Sequence, residues 1–245
     1  MARVLALIYG IAAYLLFLVV FLYSIGFVGN GLVPKSIDSG MAGDVVSSLL
    51  INAILLSIFA VQHSVMARPG FKRWWTKMVP HSIERSTYVL LSSLALVLLF
   101  WQWRPLPGVI WDVKNSLGAL ILWGLFWLGW LIVLTSTFLI NHFDLFGLRQ
   151  VYLNLRNQKY THLTFKAVGL YKLVRHPIML GFIIAFWATP RMTVGHLVFA
   201  VATTAYIFIA LQLEERDLVT YHGDDYNEYK KQVSMLWPFP RKKRG

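Results

Sequence analysis

The chain has no cysteine among its 245 residues. That excludes disulfides, thiolate metal sites and a cysteine nucleophile. Acidic residues are few: 11 Asp and Glu stand against 23 Lys and Arg, for a formal net charge of +12 at pH 7. What fills the sequence instead is apolar, with 57% hydrophobic residues and a positive mean hydropathy, too high for an ordinary soluble domain.

The apolar residues come in blocks. Leu5–Val28, Val45–Val61, Thr87–Trp103, Leu117–Ile140 and Met192–Leu213 read as membrane helices, because about 20 apolar residues span a bilayer core. A sixth block, Pro177–Thr189, has 13 residues. At ~1.5 Å per residue it reaches roughly 20 Å, short of a crossing. It reads as the short arm of a helical hairpin turned by Thr189-Pro190-Arg191. The expected fold class is all-α and integral to a membrane, with five or six transmembrane helices. The first helix follows a single Arg and lacks a small-residue cleavage site, so it reads as retained.

Charge separates the loops. The first carries Lys35 against Asp38 and Asp44, and the third carries Arg104 and Lys114 against Asp112. The second, residues 62–86, has Arg68, Lys72, Arg73, Lys77 and Arg85 against Glu84, net +4. The fourth, residues 141–176, has Arg149, Arg156, Lys159, Lys166, Lys172 and Arg175 against Asp144, net +5. The positive-inside rule puts the second and fourth loops in the cytoplasm, and both termini follow there if the final hairpin dips in and returns. The basic excess then fits contact with anionic lipid, as does the tail Arg241-Lys242-Lys243-Arg244, and calls for no nucleic acid. Two functional parts are expected: residues 1–140 as four membrane helices, and residues 141–245 holding most of the polar chemistry.

Within the second part, "KLVRHPIMLGF" (Lys172 to Phe182) sets polar residues against an apolar helix. His176, before a proline, is pushed toward extended geometry, and Pro177 suits a first helical turn. Unpaired N–H groups at the helix start, with Arg175 beside them, make an anion site, and Gly181 lets a ligand approach the backbone. "LQLEERDLVTYHGDDYNEYKKQV" (Leu211 to Val233) puts Glu214 and Glu215 at the far end of the same hairpin. Two carboxylates at a helix end need a cation. Arg175 is one candidate and a ligand amine is the other. Gly223 reads as a helix break, and Tyr221, Tyr226 and Tyr229 as an amphipathic face or as aromatic neighbours of a cation.

The pattern G-L-Y-x-x-V-R-H-P-x-x-x-G (Gly169 to Gly181, including Tyr171), then a hairpin, then E-E-x-x-L…Y-x-G-x-x-Y-x-x-Y-x-x-x-V…P (Glu214 to Pro238) resembles the isoprenylcysteine carboxyl methyltransferase and phospholipid methyltransferase superfamily. Ile178-Met179 departs from the small residue and Tyr usual in the carboxyl methyltransferases. "FAVQHSVMARPGFKRWW" (Phe59 to Trp75), "PHSIERSTYVLLSS" (Pro80 to Ser93) and "NHFDLFGLRQVYL" (Asn141 to Leu153) are similar to bacterial methanethiol S-methyltransferases, a branch near the NnrU-like proteins.

That resemblance implies a bacterial inner-membrane enzyme facing the cytoplasm, with a cytoplasmic cofactor-binding tail. It would methylate a small thiol, methanethiol, to dimethyl sulfide using S-adenosylmethionine. The cofactor would meet Arg175, His176, Pro177, Leu180 and Gly181, with Glu214 or Glu215 on its amine or ribose and Tyr171 and Tyr226 nearby. The thiol proton needs an acceptor, for which His63, His81 and His142 are candidates, with Asp144 as base or orienter. No close-spaced histidine pair suggests a metal. Two other readings stay open: a methyltransferase acting on a lipid or prenylated cysteine, and a non-enzymatic NnrU-like membrane protein.

Overall fold

The computed structural model describes residues 1–161 and 166–238; the basic tail 241–244 lies outside them. The elements in chain order are α1 (Ala2–Val28), α2 (Val45–Ala67), α3 (Pro69–Trp75), α4 (His81–Gln102), β1 (Val109–Asp112), α5 (Ser116–Ile140), α6 (His142–Leu145), α7 (Leu148–Leu155), a 3₁₀ turn (Gly169–Lys172), α8 (Pro177–Trp187), β2 (Arg191–Thr193), α9 (Val194–His222) and α10 (Asp224–Gln232). Five of these, α1, α2, α4, α5 and α9, are long and apolar enough to cross a membrane.

Their side chains are distributed inside out relative to a soluble protein. Leu5, Val19 and Leu120 are 61%, 62% and 69% exposed, whereas Ser48, Asn52, Ser86, Ser93 and Ser136 are buried. With hydrocarbon as solvent, large apolar groups gain nothing by turning inward, and small or hydrogen-bonded residues line helix contacts. The fold is that of an all-α integral membrane protein.

Two compact units are present. The first comprises Met1–Asp112, Phe143–His162 and Arg191–Ala202. Here α4 packs on α1 and α2, and α7 packs on α1 and α4. Gly10 permits the close approach of α7: a Cβ there would lie 2.7 Å from a methyl of Val151. Asp44 caps α2, its carboxylate accepting from Ser47 N at 2.9 Å. A two-stranded antiparallel ribbon of β1 and β2, with Trp111 opposite Met192, joins the hairpin tip to the loop before α5. The sequence reading did not foresee this ribbon.

The second unit comprises Val113–His142, Leu163–Pro190 and Thr203–Gly245. Its core is α8 laid along α5. A Cβ at Gly181 would fall 2.6 Å from Gly129 O, so the two glycines let the backbones touch. The contacts climb α5 in order. A Cβ at Gly169 would meet Leu139, the Tyr171 hydroxyl donates to Ser136 O at 3.4 Å, and Gly181 faces Val133. The Arg175–Pro177 junction falls between the last two of these contacts in chain order.

Helix ends depart from the apolar blocks. α2 runs on to Ala67 and α4 starts at His81, so polar residues read as loop are helical. α9 runs to His222, which puts Glu214 and Glu215 about two turns inside the helix. The dipole argument made for a helix end therefore does not apply to them.

Candidate active site

The second unit carries a polar centre at the mouth of α8. His176, with φ −127° and ψ 66°, precedes Pro177 at the first helical position; it avoids helical geometry as the pre-proline restriction demands, but is not fully extended as expected. Arg175 N and His176 N donate to Ser234 O and Met235 O at 2.9 and 3.2 Å. The segment after α10 is thus strapped alongside Val174–His176, with a parallel bridge between Val174 and Ser234.

Arg175 joins this strap to α9. Its Nε and Nη2 each lie 2.6 Å from Glu215 Oε1, while Nη1 donates to Val233 O at 2.7 Å and Lys230 O at 3.2 Å. Lys230 Nζ lies 3.3 Å from Glu215 Oε2. His176 Nε2 is 3.2 Å from Glu215 Oε1; a carboxylate only accepts, so Nε2 carries the proton. The Tyr229 hydroxyl, pushed up to about 12 by burial, donates to Tyr171 O at 2.6 Å. Gly223, at φ +56°, makes the turn from α9 into α10 that a residue with Cβ disfavours.

The two glutamates are therefore unlike. Glu215 is 5% exposed and held by Arg175, His176 and Lys230. The Glu214 side chain is 44% exposed, with Oε2 3.8 Å from His176 Nδ1. Burial raises the Tyr171 phenol, and the charge of Glu214 raises it further. Tyr226 is 2% exposed, a core residue of this unit rather than an open aromatic face. Gly181 and Leu180 are also packing residues. Gly181 is occupied by α5, and Leu180 packs on Ile207, Leu211 and Leu236 while its N–H donates to His176 O.

The four acid–base candidates separate. His142, in the second unit, folds back on the end of α5. Its ring stacks on Phe138 with centroids 4.2 Å apart at 5°, and Nδ1 lies 2.9 Å from Thr137 Oγ1. The Thr137 hydroxyl donates its one proton to Leu134 O at 2.7 Å, so it accepts from His142 Nδ1–H. The imidazole lone pair is then on Nε2. Burial lowers the His142 pKa from its ordinary value, so the ring is neutral at pH 7.

The other three lie in the first unit. Asp144 Oδ1 receives Arg149 Nη1 at 2.9 Å and Gln150 Nε2 at 3.4 Å, and Oδ2 receives the Tyr160 hydroxyl at 3.2 Å. Arg149 also donates to Thr161 O and Oγ1. Asp144 thus cross-links residues 144–161. His63 faces Tyr88 Oη at 2.9 Å and Ser92 Oγ at 3.2 Å between α2 and α4. His81 is exposed at the start of α4. Sequence reasoning missed the Thr137–His142 pair, the Lys230 contact and the strap. The i, i+3 spacing of Tyr226 and Tyr229 was the one available signal for the last.

Fold and site define an integral membrane protein whose polar centre is built from α8, α9 and α10 and strapped by the segment after α10. The NnrU protein family matches residues 50–234, and the chain belongs to that family and to its methanethiol S-methyltransferase branch. It is 61% identical over 242 residues to the "Methanethiol S-methyltransferase" of Mycobacterium tuberculosis, covering 99% of each chain. It is 53% identical over 218 residues to the protein of the same name from Pseudomonas deceptionensis, covering 89% of this chain and 83% of that one. Mouse "Nurim" is 28% identical over 182 residues, 71% of this chain and 69% of its own. No solved structure matches the chain.

Proposed function

We propose that this protein transfers a methyl group from S-adenosylmethionine to methanethiol, forming dimethyl sulfide at the cytoplasmic face of a bacterial inner membrane. The observation that carries the acceptor is the near-full-length similarity to relatives named for that reaction, at 49–61% identity. The net charges of +4 and +5 on residues 62–86 and 141–176 support the cytoplasmic orientation.

The donor set fits the methyl donor. S-adenosylmethionine supplies an electrophilic methyl on a sulfonium, carried by a zwitterion with ribose hydroxyls. Glu214, half exposed beside His176, would hold its amine or a ribose hydroxyl. The first N–H groups of α8, at Ile178 and Met179, have no partner within the helix and would hold its carboxylate. Arg175 serves by position: its guanidinium is used on Glu215 and the strap, which hold the α8 mouth in place.

Sulfur attack on a sulfonium methyl needs little acid–base help beyond removal of the thiol proton, so placement of the reactants dominates. His142 is the proton acceptor in this reading. It is neutral at pH 7, its lone pair is on Nε2, and Thr137 and Phe138 fix its ring. A small apolar thiol reaches the site through the hydrocarbon.

The test is the purified chain in detergent with S-adenosylmethionine and methanethiol, volatile product being measured by gas chromatography. Dimethyl sulfide formed in step with S-adenosylhomocysteine supports the reading. Cofactor binding without dimethyl sulfide assigns a different acceptor, and no binding by calorimetry removes the methyltransferase reading.

A further inference from the structure

The polar centre leaves one built feature of the first unit unused, the connection from α2 to α4. It runs only from Ala67 to His81, between two helices long enough to span a membrane, so it is held at a membrane surface at both ends. Within it, α3 continues as helical turns past Trp75: Thr76 N donates to Lys72 O at 2.9 Å, Met78 N to Trp75 O at 3.0 Å and Val79 N to Trp75 O at 2.9 Å. On such a coil Phe71, Trp74, Trp75 and Met78 follow the i, i+3, i+4, i+7 pattern of one face, and Arg73 and Lys77 fall on the other.

The outer part of the apolar face is exposed, while Phe71 and Trp75 are half-buried behind it. Trp74 and Met78 are 52% and 59% exposed. The rings form one cluster, with Phe71 centroids 5.3 Å from Trp74 and 5.8 Å from Trp75. Arg73 and Lys77 are exposed. Basic amphipathic helices with tryptophan on the apolar face lie in the interfacial plane, and indole rings prefer that depth.

We infer that residues 69–79 form a docking surface for anionic phospholipid, the Phe71–Trp74–Trp75 cluster entering the acyl boundary and Arg73 and Lys77 meeting headgroup phosphates. Charge complementarity selects the lipid: five basic residues and one acidic residue occupy positions 62–86. A zwitterionic headgroup offers the same acyl surface without the net negative charge.

The test uses the full chain in detergent, titrated with dibrominated phosphatidylglycerol or dibrominated phosphatidylcholine while tryptophan fluorescence is read. Trp74→Phe isolates the Trp74 signal by difference. Phosphatidylglycerol should quench that signal at roughly tenfold lower lipid than phosphatidylcholine. The preference should vanish in Arg73→Gln/Lys77→Gln and shrink in high salt, and persist in Arg73→Lys/Lys77→Arg. Equal quenching by the two lipids, no Trp74 component, or a preference unchanged in the glutamine variant would overturn the inference.

Discussion

Arg175 and Glu215 form a buried ion pair: Nη2 and Oε1 are 2.6 Å apart and the two side chains are 3% and 6% exposed. The cation that a glutamate pair needs in this setting comes, for Glu215, from the chain itself. Glu214 is left as the carboxylate facing outward. The adjacent acids thus divide the work, one building the centre and the other presented to a ligand.

Glu215→Gln should destabilise the protein strongly. It leaves the Arg175 guanidinium buried without its anion, at a cost of about 3–5 kcal/mol. Glu214→Gln, half exposed, should cost about 0–1 kcal/mol. Thermal unfolding of the two variants in the same detergent measures the difference; equal losses would contradict the division.

Arg175→Lys keeps the charge and loses the fork that reaches Glu215, Val233 and Lys230 together. Amide hydrogen exchange over residues 224–236 should then rise, while exchange in α5 stays at its parent level. Tyr229→Phe removes the 2.6 Å bond to Tyr171 O and should loosen the same segment to a smaller degree.

Burial lowers the His142 pKa from its ordinary value of 6.5. Below that value the unfolded chain takes up a proton that the native ring resists, so native stability falls as pH falls. Between pH 7 and pH 5 the melting temperature of the parent should drop further than that of His142→Gln, which has no proton to gain. On the reading of His142 as acceptor, the same variant should lose turnover while binding S-adenosylmethionine normally.

Gly181→Ala tests the packing role. The new Cβ would stand 2.6 Å from a backbone oxygen of Gly129, which has no flexible end to move. A destabilisation of about 1–3 kcal/mol is expected, with cofactor affinity per folded molecule unchanged. Selective loss of affinity at parent stability would return Gly181 to the ligand.

The membrane helices were legible because hydrocarbon tolerates long apolar runs and little else. Their ends were not, since Gln62, His63, Glu84 and Arg85 continue a helix while breaking the apolar run. This hid the His63–Tyr88 contact between α2 and α4. The R-H-P and Glu-Glu motifs were visible, and so was Arg175 as one possible partner of the glutamates. What the sequence could not reveal was which glutamate Arg175 takes, because Glu214 and Glu215 differ only in direction around α9. The ribbon of Val109–Asp112 with Arg191–Thr193 joins two short runs 82 residues apart at Val109 and Arg191, with no local pattern to announce it. Nor did any residue of Ser234–Leu236 mark that segment as the strap; its backbone hydrogen bonds can be made by any sequence, and the one buried side chain, Leu236, lies in too short a run to show a period.

The most direct test follows the methyl group. The purified chain is given S-adenosylmethionine labelled on its methyl carbon together with methanethiol, and the label in volatile dimethyl sulfide is counted for the parent and for Glu214→Gln. Labelled dimethyl sulfide is expected from the parent. In Glu214→Gln the cofactor concentration for half-maximal rate should rise about tenfold, the effect of losing one charge-assisted hydrogen bond. Absence of label from dimethyl sulfide, or a Glu214→Gln variant that uses the cofactor as well as the parent does, would contradict this reading.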